Sequence, residues 1–286
     1  MKELFSNAKE AMLGFKRMDD CDLTKPHKFS NYSILFVKEG KGVYHADFGK
    51  FRYEGPALLF STPLQQIYIA PNNASKYSIL QFHGDFYCIE YHKAQVACNG
   101  LLFNNIYIEP SVRLTGQEAG IFDRLLNEVE EELNGPAPDE IVLRAYLQLL
   151  LAKASRIKIG SIRTENLSVV DKDPQMEHFI RLLEEHYLKL HKPNDYAKLL
   201  AMTPNNLGKR CARYFKKTPS RLIQERIILE SKKMLHLTRK SVKEIAYTLN
   251  FEDEFYFSRF FKKFTRVSPR TFRKKTGISK VAEMSG

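Results

Sequence analysis

The chain has 286 residues, 43% of them hydrophobic and 27% charged, with a formal net charge of +12. That length suits two domains of ordinary size, and that balance excludes a disordered polypeptide. No apolar run approaches the roughly 18 residues of a membrane helix, which excludes a helical membrane protein as well.

The charge is unevenly placed. Residues 1–173 carry 20 Lys and Arg against 22 Asp and Glu, a net of −2, whereas residues 174–286 carry 25 against 11, a net of +14. Such asymmetry points to one domain that meets a polyanion and one that does not. The opening MKELFSNAKEAMLGFKRMDD breaks each short apolar run with charge, so no signal peptide is expected. Cys21, Cys88, Cys98 and Cys211 form no CxxC pair and no zinc-ligand spacing, and read as reduced thiols of a cytoplasmic protein.

The first hundred residues read as β structure. Tyr32-Ser33-Ile34-Leu35-Phe36-Val37 is a buried strand and Glu39-Gly40-Lys41-Gly42 a turn. Val43-Tyr44-His45-Ala46-Asp47-Phe48 alternates, and Gly49-Lys50 is expected to turn the chain again. Phe51-Arg52-Tyr53 leads to a Gly55-Pro56 break and the run Ala57-Leu58-Leu59-Phe60, and Tyr77-Ser78-Ile79-Leu80-Gln81-Phe82 adds a further strand. Short strands with frequent Gly and Pro punctuation predict an antiparallel sandwich or barrel.

Helical periodicity takes over near Thr115. Ile121, Leu125, Val129 and Leu133 recur every four residues with acids on the other face. Gly135-Pro136-Ala137-Pro138 breaks the pattern, and Asp139 caps a second helix bearing Ile141, Val142, Tyr146, Leu149, Leu150 and Ala154. The short connection favours an antiparallel pair, with surplus apolar residues such as Leu125, Leu147 and Leu151 left for a dimer contact. The polar stretch 158–173 reads as a linker.

Asp173-Pro174, an N-cap followed by proline at the first helical position, opens a helical domain. An internal repeat follows: Thr203, Leu207, Cys211 and Pro219 match Asp253, Phe257, Phe261 and Pro269 at an offset of fifty. Each copy is a short helix, a tight turn, a capped second helix and a Ser/Thr-Pro exit. Repeated helix–turn–helix units in a basic domain are a specific combination.

On a wheel of 100° per residue, Phe260, Phe261 and Phe264 fall within about 60° of Phe257, the stripe of a buried face. Phe255, Arg259, Lys262 and Lys263 point outward, with Ser258 at the edge. The acids Glu252-Asp253-Glu254 stand at the helix N-terminus, where they suit the macrodipole and Asp253 can cap. The first copy divides likewise, with Leu207, Cys211 and Tyr214 inward and Asn205, Lys209, Ala212 and Arg213 outward. Arg and Lys suit guanine edges or phosphates, and Asn suits adenine edges. For one helix a merely solvated basic face is an equal reading; two parallel copies in a domain of net +14 argue against it.

Residues 174–275 resemble the DNA-binding domain of AraC-type (AraC/XylS) bacterial transcription regulators. The second copy carries the family signature as SVKEIAYTLNFEDEFYFSRFFKKFTRVSPRTFRK, and the first carries it more loosely as YAKLLAMTPNNLGKRCARYFKKTPSRLIQERI. The resemblance implies seven helices, with the helix through Arg226 to Leu235 joining the units. It also implies that the helices starting near Pro204 and Glu254 enter successive major grooves of double-stranded DNA. The implied reading surface is Asn205, Asn206, Gly208, Lys209 and Arg213 in the first unit. In the second it is Glu254, Phe255, Tyr256, Ser258, Arg259, Lys262 and Lys263. RNA polymerase is the further partner implied. The chain departs from the family where Asn250 and Arg266 replace usual glycines, where Gly208 costs the first reading helix about 1 kcal/mol, and where Arg210 answers to Phe260. The first unit is therefore expected to be less rigid and less decisive for specificity.

The N-terminal half resembles, by element order, the cupin-like sensor that many such regulators carry, with a helical pair used for homodimerisation. Tyr32, Phe36, Tyr44, Phe60, Tyr68 and His83 are candidates to line an effector pocket, although each aromatic also reads as ordinary sheet core. His27, His45 and His83 are isolated, with no HxH pair, so no metal or other cofactor is expected. HExxH, GxSxG, P-loop and GxGxxG motifs are absent, which leaves enzyme readings without support.

The resulting expectation is an α+β chain of two domains. An N-terminal antiparallel β cupin-like barrel with a helical pair spans 1–157, a linker spans 158–173, and an all-α domain with two helix-turn-helix units spans 174–286. It is expected to be a cytoplasmic, dimeric transcription regulator controlled by a small molecule. The alternative is a cupin-type enzyme or sugar-binding module fused to a DNA-binding domain.

Overall fold

The computed structural model describes residues 2–5, 11–18, 22–47, 49–71, 76–87, 101–103, 106–168 and 173–276. Cys21, Phe48, Cys88, Cys98 and residues 169–172 and 277–286 lie outside the described residues. The chain divides into two compact units, Met1–Arg163 and Thr164–Gly286.

Among the described residues, the first unit holds ten strands in two antiparallel sheets. β1 (Lys2–Phe5), β2 (Ala11–Met18), β4 (Tyr32–Glu39), β7 (Ala57–Ser61), β9 (Lys76–Phe82) and β10 (Ser111–Arg113) form one, ordered β1-β2-β9-β4-β7-β10. β3 (His27–Lys28), β5 (Lys41–Ala46), β6 (Gly49–Glu54) and β8 (Gln66–Pro71) form the other, ordered β3-β8-β5-β6. Helices α1 (Gly116–Asn134) and α2 (Glu140–Ser168) follow.

The larger sheet is covered on both faces, which explains why β4, β7 and β9 read as continuous apolar runs. Leu35, Val37, Leu59, Tyr77 and Ile79 face the smaller sheet's Tyr44, Ala46, Tyr53, Ile67 and Ile69. Ile34, Phe36, Leu58, Phe60, Leu80 and Phe82 face Phe122, Leu126, Leu143, Leu147, Leu150 and Leu151 of the two helices. The smaller sheet has one covered face, and β5 accordingly alternates between buried and part-buried residues.

Four sequence expectations shift. β6 already begins at Gly49, paired with Ala46, and Asp47 takes the left-handed conformation at φ 52°, so Gly49-Lys50 is strand rather than turn. α1 buries Phe122, Leu126, Val129 and Leu133, not Ile121 and Leu125. A strict four-residue repeat advances 40° per step around a helix, so the packed face must skip to a three-residue step. Leu147 and Leu151 are fully buried, because α2 packs against both sheet and α1; the exposed apolar residues there are Ile141, Val142 and Leu149. Finally, α2 continues helical to Ser168, through more than half of the expected linker.

The second unit is all helix: α3 (Pro174–His186), α4 (Pro193–Leu199), α5 (Pro204–Phe215), α6 (Pro219–Leu237), α7 (Val242–Thr248), α8 (Glu254–Thr265) and α9 (Pro269–Thr276). α6 runs through the middle and buries Leu222, Ile223, Ile227, Ile228 and Leu235. Arg226 ties it to α3, with Nε 2.8 and 3.0 Å from the two Glu184 oxygens and the guanidinium 3.7 Å from the Tyr187 ring centre.

Candidate nucleic-acid interface

Each repeat is built from the same local chemistry. In the first, α4 ends at a turn where Ala201 takes φ 51°, and Thr203 caps α5 by accepting from the Asn206 amide at 3.2 Å. In the second, Asn250 takes φ 58° after α7, and Asp253 accepts from the Phe255 and Tyr256 amides at 3.0 and 2.7 Å. Lys216 and Arg266 end the two helices in left-handed geometry, at φ 55° and 65°. The turn is one residue shorter in the first copy, so the offset is 49 before it and fifty after it.

Core faces anchor both helices. Leu207 and Cys211 are buried in α5, and Phe257, Phe261 and Phe264 in α8. Burial pushes the Cys211 thiol up to about 12, with Asp173 nearby adding to the rise; the thiol donates weakly to the Met176 sulfur, 3.8 Å away. Two inward assignments differ. Tyr214 is exposed and donates its hydroxyl to Glu177, and Phe260 is half-buried, packed on Phe251 and Phe264 at ring distances of 5.3 and 5.1 Å.

The outer faces carry the candidate residues. Asn205, Asn206, Lys209 and Arg213 are exposed on α5, with Gly208 part-buried between them. Phe255, Tyr256, Arg259, Lys262 and Lys263 are exposed on α8, with Glu254 and Ser258 part-buried. Phe255 is 67% and Tyr256 58% exposed, high for rings of that size and consistent with a surface that stacks or packs on a partner. The sequence marks Arg210 as the counterpart of Phe260 but not its partner: its Nη1 donates to Asp173 Oδ1 at 2.7 Å, in the place where Phe260 packs on its aromatic neighbours in the second unit.

The six candidate effector residues do not share one pocket. Tyr32, Phe36 and Phe60 lie between the larger sheet and the helices, where a cavity of about 10 Å³ is lined by Ile34, Leu58, Phe60, Leu80, Phe122, Leu126, Leu150 and Ala154. Tyr44 lies between the sheets and donates to the Phe60 carbonyl at 2.9 Å. Tyr68 is on the outer face of the smaller sheet, stacked 3.8 Å from His45. His83 follows β9 and accepts the Asp85 amide at Nδ1, 3.2 Å away. The strand-alternation rule sends neighbours to opposite faces, and this separates residues that composition alone had grouped. A polar row went unnoticed: Gln81, Ser33 and Ser61 are register neighbours across β9, β4 and β7, all buried, with Gln81 Nε2 donating to Ser33 Oγ at 3.0 Å. Among the described residues no group of three or more His, Cys, Asp or Glu is placed to hold a metal ion, and no helix is long and apolar enough to cross a membrane.

Comparison with known proteins gives the following. Residues 196–275 match a family model described as a helix-turn-helix domain. The raffinose operon transcriptional regulatory protein RafR of Pediococcus pentosaceus is 28% identical over 142 residues, 48% of this chain and 47% of that protein. The match thus spans about half the length of that relative. Among solved structures, an apo form of ToxT from Vibrio cholerae aligns over 93% of this chain and 98% of its own, at 14% identity and a TM-score of 0.44. The C-terminal domain of AraT, a response regulator from Geobacillus stearothermophilus, aligns over 38% of this chain and 90% of its own, at 23% identity and a TM-score of 0.36.

Proposed function

We propose, from the premise that residues 196–275 are a helix-turn-helix domain of the AraC type, that the chain is a sequence-specific DNA-binding transcription regulator and not an enzyme. One observation carries this reading: two capped helices, α5 and α8, each hold an apolar face in one basic unit and turn Lys209 and Arg259 outward from equivalent positions. Guanidinium and ammonium groups on such helices suit guanine edges and phosphates in a major groove.

In this reading residues 174–286 bind DNA and contact RNA polymerase, and residues 1–157 form a cupin-like sensing and dimerisation domain in the cytoplasm. The homodimer forms through the outer face of α2, where Ile141, Val142 and Leu149 are exposed. The effector is a small hydrogen-bonding molecule that enters between the sheets, at the end where Tyr44 and the Gln81–Ser33–Ser61 row bring polar groups into an apolar interior. Loss of co-purified ligand from Gln81→Leu relative to wild type, read by mass spectrometry, tests that placement.

The DNA reading is tested by binding of the full chain to duplex DNA across salt concentrations. Affinity falls steeply between 50 and 200 mM salt if phosphate neutralisation releases counterions. Binding indifferent to salt over that range contradicts it.

A further inference from the structure

The two reading helices are held by different chemistry. α3 presents Asp173 at its N-cap and Glu177 one turn on, and α5 answers with Arg210, Arg213 and Tyr214. The Asp173 side chain is only 7% exposed; its Oδ1 accepts from Arg210 Nη1 at 2.7 Å and from the Gln175 amide at 3.1 Å. Among the described residues Oδ2 takes no hydrogen bond, and Arg213 Nη2 stands 3.8 Å from it. Glu177 accepts the Tyr214 hydroxyl. In the second unit the counterparts of Arg210 and Tyr214 are Phe260 and Phe264, packed ring to ring, with the Arg221 guanidinium 4.8 Å over Phe264.

A buried carboxylate with one bonded and one unbonded oxygen fixes direction as well as distance. Arg210 reaches it with a hydrogen bond, while Arg213, 70% exposed, is drawn toward it and leaves most of its donors to solvent. We propose that Asp173 is a positioning residue for the first reading helix: through Arg210 it sets the roll of α5 on α3, and through Arg213 it aims a guanidinium along the DNA-facing edge. The second unit sets α8 by ring packing and does not need such a pair. This rests on the proposed DNA reading.

Asp173→Asn is the discriminating change. Asparagine caps a helix about as well as aspartate, so α3 keeps its N-cap while the charge is removed. The full chain is footprinted on a duplex that the wild-type chain has selected from a random pool, with the α8 segment identified as the one lost in Arg259→Ala. Asp173→Asn is expected to weaken protection of the other segment about tenfold and to leave the α8 segment as in wild type. Arg210→Gln breaks the Arg210 pair from its exposed side and is expected to give a loss confined to the same segment and no larger than that of Asp173→Asn. The double variant is expected to be no worse than Asp173→Asn alone, since that change already removes the Arg210 interaction along with the Arg213 one. Equal protection of both segments in the variants overturns the proposal, and so does joint loss of both, which would mean that Asp173 holds the fold and not the helix. A wild-type chain that selects no duplex removes the DNA reading itself, and this proposal with it.

Discussion

The imidazole of His191, just ahead of α4, lies against the ring of Phe251 in the turn of the second repeat, with centroids 5.4 Å apart. Beside it, Asn250 Nδ2 donates to the Lys189 carbonyl at 3.3 Å. The loop that leads into the first repeat thus buttresses the turn of the second, and the two repeats are coupled through more than α6.

That contact makes the second unit sensitive to acid. Burial lowers the His191 pKa below its ordinary 6.5, although backbone hydrogen bonds to Tyr187 and Leu188 oppose the shift. The folded state therefore resists a proton that the unfolded chain accepts. Stability is full above about pH 6.5 and falls as the pH drops below it. The melting temperature of the second unit is expected to fall between pH 7 and pH 5, more steeply in wild type than in His191→Gln. Parallel slopes in the two proteins would remove His191 as the cause.

Two backbone substitutions in the first repeat should stabilise, and a third in the second repeat serves as their control. Ala201 occupies left-handed geometry at φ 51°, where an L-residue with a Cβ is strained by about 1–2 kcal/mol. Ala201→Gly relieves that strain at a smaller cost in unfolded-state entropy, for a net gain of about 0.5–1 kcal/mol. Asn250→Gly should gain nothing, because Asn tolerates the same region and its bond to the Lys189 carbonyl is lost. Gly208 sits mid-helix with nothing within 4 Å of where a Cβ would stand, so Gly208→Ala should gain about 1 kcal/mol. Chemical denaturation of the full chain reads all three.

The second unit was far more legible in the sequence than the first. Caps such as Asp173, Thr203 and Asp253 act through bonds two or three residues away, so local sequence decides them. The candidate DNA-facing residues lie on the outer faces because a 3.6-residue period also fixes which side Phe257 and Phe261 take. In the first unit the decisive contacts are distant. Leu147 and Leu149 look alike in a list of apolar positions, yet one is buried in the core shared by the sheet and both helices while the other meets solvent, and only the two-sided packing of α2 tells them apart. The partner of Arg210 was hidden for the same reason: Asp173 is 37 residues away.

The α2 face supplies a paired test of association. Leu149 is 43% exposed and Leu147 fully buried, two residues apart on one helix. Leu149→Glu is expected to give a folded monomer by sedimentation velocity at micromolar concentration, because only a subunit contact is lost. Leu147→Glu is expected to unfold the first unit, since an unpaired buried carboxylate costs several kcal/mol. A wild type that sediments as a monomer would end the dimer proposal.

The strongest test of the reading faces is how the two repeats divide one DNA site. α5 and α8 belong to one compact unit and both pack on α6, so if they enter successive major grooves they sit about 34 Å apart along one face of the duplex. Their outer faces differ: α5 offers Asn205 and Lys209, and α8 offers Phe255 and Arg259. A single chain should therefore select a non-palindromic site of two unlike segments. Arg259→Ala should cost roughly 1–3 kcal/mol and relax preference at one base position, as loss of a bidentate base contact does. Lys209→Ala should cost less and weaken all sequences alike, with a smaller salt slope, if the ammonium meets phosphate. Five base pairs inserted between the segments rotate them to opposite faces and should abolish two-segment protection. Protection of one groove alone, unchanged by the insertion, would mean that a single repeat reads DNA.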